Sequence, residues 1–126
     1  MKFSTVVIVN AIVALVYGIA LVLLPGTVLS LYGVTPGPAV NLASQLIGVE
    51  MIHVGVICWL IRGVSDGVAQ KSLILGGLAG QVIAVIVSVM GTLSGVFSAM
   101  GWSAVAIYAL LALGYAYLQF LKPGRT

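Results

Sequence analysis

Four runs of roughly twenty apolar residues, separated by short turn-forming stretches, constrain this chain more than any other feature of its sequence. At about 1.5 Å per residue, each run makes a helix long enough to cross a hydrocarbon core of about 30 Å. The runs fall at residues 4–24, 42–62, 71–93 and 101–121. A membrane β-barrel would alternate polar and apolar residues instead, and these runs do not. The expected fold is therefore all-α: an integral membrane four-helix bundle, with residues 1–126 forming a single four-span domain.

Composition agrees with that reading. Hydrophobic residues make up 62% of the chain and charged residues 6%, whereas a soluble domain carries about a quarter charged residues. The first run is expected to stay in the protein, because its apolar stretch is too long for a signal peptide and no small-residue cleavage site follows it. Cys58 lies within the second run and reads as a small core hydrophobe.

The few charges report orientation. Lys2, Arg62, Lys71, Lys122 and Arg125 all fall on one side of the four-span topology. The opposite connections, Pro25 to Asn41 and Ser94 to Gly101, carry no charge. The positive-inside rule then places both termini and the middle loop in the cytoplasm. Five scattered basic residues do not make the clustered face that nucleic-acid binding requires.

In the first external connection, turn residues bracket a short apolar stretch from Thr27 to Tyr32, which predicts a short interfacial helix. In the cytoplasmic connection, Ser65 is the expected cap of a helix that begins early and carries Lys71. Trp59 and Trp102 fall near opposite faces of the membrane, and Tyr115, Tyr117 and Phe120 read as an inner aromatic belt.

Inside lipid, water cannot drive helices together, so small residues and isolated polar groups should mark the helix contacts. On the third span Gly77, Gln81, Ala84, Ser88 and Gly91 recur at helical spacing, with Gly76 and Gly80 forming an overlapping small-xxx-small pair. On the second, Asn41, Gln45, Gly48, Ile52, Gly55 and Trp59 do the same. These stripes read as packing within the chain, with Gln45 and Gln81 bonded across helices and Asn10 of the first span in the same role. Gly76 and Gly80 serve a homodimer equally well.

Glu50 and His53 carry the sharper signal. They are the ionisable side chains nearest the bilayer centre, and an acidic group there costs about 2.5–3.5 kcal/mol on insertion scales. They share a helix face, turned away from the Gln45, Gly48 and Gly55 stripe. Either the second span is packed on both sides, or the Glu50 face meets another protein chain. The structural reading has Glu50 bonded to His53, with Gln81 as a third partner. Two functional readings compete with it: a proton path through the pair, or ligation of a haem or chlorophyll by His53 with Glu50 orienting the other ring nitrogen.

Other chemistry finds too few residues. A dinuclear site of the Glu-x-x-His type needs several more carboxylates, and Asp66 is the sole remaining acidic residue. Cys58 and His53 do not share a helix face, no serine has a convincing base, and Gly76-Gly77 lies in an apolar helix rather than a phosphate loop. The chain is expected not to be an enzyme.

The segments Leu23-Leu24-Pro25-Gly26, Leu31-Tyr32-Gly33-Val34, Ser94-Gly95-Val96 and Met100-Gly101-Trp102-Ser103 resemble those of a group of small bacterial four-span membrane proteins without an assigned function. The resemblance covers most of the chain and implies the topology, a bacterial inner membrane and no activity. The length is similar to that of the small multidrug-resistance exporters, which carry a membrane glutamate in their first span; here that span has Asn10 and the glutamate is in the second.

The leading expectation is a non-catalytic accessory or structural subunit of a larger membrane protein complex, without a cofactor, or a homo-oligomer in the bilayer. The alternatives are a small oligomeric proton-coupled transporter or channel using Glu50 and His53, and a haem- or chlorophyll-binding protein using His53.

Overall fold

The computed structural model describes residues 2–121. Lys122 and Arg125, two of the five basic residues behind the expected sidedness, lie outside the described residues. The fold is all-helical, with five α-helices: α1 (Phe3–Leu23), α2 (Pro25–Leu31), α3 (Pro38–Ile61), α4 (Gly67–Leu93) and α5 (Gly101–Ala116). The last continues as a π-helical turn over Tyr117–Leu121, so its full apolar run is Gly101–Leu121. Four of the helices are long and apolar enough to span a membrane.

The sequence sets most of the helix ends. Pro25 lacks an amide hydrogen and stops α1, then serves as the first residue of α2. Pro38 opens α3 in the same way, and the Asn41 side chain accepts the Gly37 amide hydrogen at 3.3 Å. The expected cap at Ser65 is displaced by one residue. Asp66 caps α4, its carboxylate accepting from the Ala69 amide at 2.8 Å. A carboxylate at that position satisfies a free amide and also meets the positive end of the helix dipole.

The helices associate as two pairs, α1 with α3 and α4 with α5. Close backbone approach defines the first pair. A methyl group added to Gly18 would lie 2.8 Å from the Gly48 carbonyl oxygen, and one added to Gly48 would lie 2.7 Å from that of Gly18. Further along, Gly55 faces Leu15 and Ala11. In the second pair, Gly77 receives the Tyr115 ring and Gly91 receives the Phe97 ring.

Two contacts join the pairs at opposite ends. At the end carrying Lys2 and Arg62, Phe3, Val6 and Val7 of α1 cluster with Cys58, Ile74, Tyr115 and Leu118. At the other end the two connecting loops clasp each other. The Ser98 amide donates to the Tyr32 carbonyl at 2.7 Å, the Ser98 hydroxyl donates to the Leu31 carbonyl at 3.1 Å, and Phe97 meets Tyr32 edge to face at 5.4 Å. Gly33 makes the clasp feasible: its φ is +76°, and a Cβ there would come within 2.9 Å of the Ser98 Cβ. Between these ends α3 and α4 stand apart, although consecutive in sequence.

Candidate functional site

Two features of the structure have chemical potential: an acidic edge on α3 and a crevice between α3 and α4. The midpoint of α3 falls between Val49 and Glu50. Because Gly48 and Gly55 turn one side of that helix onto α1, the side carrying Glu50 and His53 faces outward. The His53 and Glu50 side chains are 63% and 77% exposed, and His53 Nδ1 lies 3.5 Å from Glu50 Oε2. Helix α3 is thus packed on one side, with its ionisable pair on an open edge at mid-helix. The pair forms without Gln81 as a third member.

The other polar residues of the spans take distinct positions. Asn10 Nδ2 donates to the Tyr115 hydroxyl at 2.6 Å, linking α1 to α5. Cys58 of α3 belongs to the same buried cluster as Tyr115, and the Tyr115 ring lies against Gly77 of α4. All four long helices therefore converge on Tyr115. Its place near the end of a span predicts a member of the aromatic belt, but Tyr115 is 2% exposed and turned inward. The available signal was the glycine at position 77, which leaves a ring-sized space on the facing helix. Gln45 Nε2 donates to the Val22 carbonyl at 3.0 Å, bonding α3 to α1.

Gln81 differs from both. Its Oε1 is buried and accepts no hydrogen bond from the described residues, in contrast to the cross-helix bond expected for it. The cause is geometric, since this part of α4 borders the crevice rather than a neighbouring helix.

Three cavities run along the crevice. The outermost, of about 250 Å³, lies between Tyr17, Ser44, Ser88 and Tyr108. The middle one, of about 430 Å³, is bordered by Asn10, Glu50, Met51, Gln81 and Tyr108. The innermost, also about 430 Å³, is walled by Gly76, Gly80, Ile57 and Cys58. Tyr108 borders all three, and Asn10, Val54 and Gln81 are shared by the inner two, so the cavities join along one seam. Among the described residues nothing beyond the helix itself comes within 4 Å of a Cβ added at Gly76 or Gly80, so no neighbouring helix packs on this small-residue pair. Ser88 is buried beside the outer cavity.

The polar residues Asn10, Glu50, Gln81 and Tyr108 border a mostly apolar space, and His53 borders none of the three cavities. Among the described residues no three His, Cys, Asp or Glu side chains gather. Comparison with family models, with curated proteins and with solved structures gave no match.

Proposed function

We propose that this chain is a non-catalytic subunit of a larger membrane protein assembly and that it docks through the Glu50–His53 edge of α3. The observation that carries the reading is the exposure of this pair at mid-helix, in a helix long and apolar enough to span the bilayer. Facing lipid, a carboxylate there costs about 2.5–3.5 kcal/mol on insertion scales, and a polar partner removes that cost. A proton path within one chain would turn its ionisable groups inward, and a pigment held within one chain would need a cavity beside His53. The outward position of the pair favours docking over both.

The sidedness follows from the charges. Lys2, Arg62 and Lys71 occupy one end of the bundle, which the positive-inside rule makes cytoplasmic. Arg62 donates to the Trp59 carbonyl and lies 4.2 Å from the centre of the Trp59 ring, an arrangement suited to the lipid headgroup level. On that orientation α2 and the loop clasp lie on the external side, with α2 in the interface.

Gentle detergent extraction from native membranes, followed by native gel separation and mass spectrometry, tests the assignment. The expected result is migration with a larger protein, lost in Glu50→Leu/His53→Leu. Recovery of the wild-type chain as a monomer or simple homo-oligomer would refute it.

A further inference from the structure

The smallest of the three cavities, of about 250 Å³, lies beneath the loop clasp and collects hydroxyl groups. Tyr17 of α1, Ser44 of α3, Ser88 of α4 and Tyr108 of α5 border it, together with Tyr32 and Phe97 of the clasp. Ser44 and Ser88 are 7% and 5% exposed. Helical hydroxyls commonly turn back to the carbonyl four residues earlier, as those of Ser30, Ser72 and Thr92 do at 2.8 Å. Among the described residues the hydroxyls of Ser44, Ser88 and Tyr108 make no hydrogen bond. None of the three is sealed either, since Gln81 Oε1 is the one side-chain atom of the described residues that is both buried and unpartnered. In serines this buried, the open hydroxyl faces the cavity that it borders. The Tyr17 and Tyr32 hydroxyls lie 3.3 Å apart, and whichever donates, the other keeps a free hydrogen.

We propose that this cavity binds a neutral aromatic ring bearing an oxygen, the chemistry shared by phenols and quinone head groups. No charged side chain borders the cavity, so an ionised ligand would lose its hydration without a counter-charge. Four of the bordering side chains are aromatic, and they favour a planar ring in offset or edge contact. Buried hydroxyls are almost always paired, and a hydrocarbon chain would leave these unmatched where an oxygen satisfies them. A cavity of about 150 Å³ holds benzene, so this one takes a single ring with a short substituent. Glu50 does not border the site, which is independent of the docking role.

Equilibrium binding to the purified full chain in phosphatidylcholine nanodiscs, corrected for empty nanodiscs, tests the assignment. The probes are tritium-labelled para-propylphenol, propylbenzoquinone, propylbenzene and para-propylbenzoate. The phenol or the quinone should bind at least about fivefold more tightly than propylbenzene, as one neutral hydrogen bond warrants, and the tighter of the two identifies the oxygen preferred. The benzoate should bind no more than it does to empty nanodiscs. Ser44→Ala and Ser88→Ala should each weaken the preferred ligand about fivefold and leave propylbenzene unchanged, which also shows that the variants are folded. Ala104→Leu, which fills this cavity, should abolish binding of every probe, whereas Gly80→Leu on the wall of the innermost cavity should not alter it. Equal affinity for phenol, quinone and propylbenzene would overturn the inference. So would an affinity for the preferred ligand that neither serine variant changes, or no binding above empty nanodiscs.

Discussion

The Asn10 side-chain amide of α1 donates a 2.6 Å hydrogen bond to the Tyr115 hydroxyl of α5, and this bond ties together helix pairs that otherwise touch mainly at their ends. Such a bond matters more here than its length suggests. Helix α3 leaves a crevice beside α4, so little apolar packing is available at the same depth to hold the pairs in register. The Tyr115 ring adds a steric component, because Gly77 opposite it leaves no other side chain to take up the space.

A double-mutant cycle on Asn10→Ala and Tyr115→Phe measures that link. Interhelical hydrogen bonds in membranes contribute about 0.6 kcal/mol on average and up to about 1.7. The coupling energy from denaturant unfolding in detergent should fall at the upper end of that range. Additive effects of the two substitutions would show that the contact carries no energy.

The loop clasp makes its own prediction. Gly33 and Gly95 have φ values of +76° and +80°, a region costing a non-glycine residue about 1–2 kcal/mol. Only at Gly33 does an added Cβ also meet an obstacle, the side chain and backbone of Ser98. Gly33→Ala should therefore lower the melting temperature more than Gly95→Ala. Equal shifts would mean that the clasp gives way freely.

Two glycines in small-residue stripes should behave oppositely. Gly48→Val forces apart α1 and α3, where the Gly18 carbonyl oxygen already lies 2.7 Å from the added Cβ, and overpacking of this kind costs about 1–3 kcal/mol. A Cβ added at Gly80 meets no atom within 4 Å, and Gly80→Val should leave the melting temperature of the isolated chain nearly unchanged. Paired thermal unfolding curves decide the matter, and equal destabilisation would contradict the packing described.

Much of this architecture can be read from the sequence, because apolar runs bounded by Pro25, Pro38 and the Asp66 turn leave a helix few other places to start or stop. The α1–α3 seam is legible too: Gln45, Gly48 and Gly55 sit at helical spacing, and small residues in lipid mark close approach. The same logic leaves Gly76 and Gly80 open between packing within the chain and a homodimer. Spacing reveals that a surface is flat but not whether a helix lies on it, and the structure places these two on the crevice wall. It misreads Tyr115 for a related reason. An aromatic residue near the end of a span satisfies the interface rule and the core rule alike, and the facing glycine that decides between them is distant in sequence. Glu50 and His53 are conspicuous from composition alone, but their outward direction depends on which side of α3 packs on α1.

Site-specific photo-crosslinking in native membranes tests docking through the Glu50 edge most directly. A photoreactive residue replaces Leu46, an exposed position one turn from Glu50 on α3, and in a second variant Ile83, an exposed position on α4. Docking through α3 gives a discrete protein adduct from position 46, lost when Glu50→Leu is added, and lipid adducts alone from position 83. Lipid adducts alone from both positions, or a protein adduct at 46 that persists without the carboxylate, would contradict it.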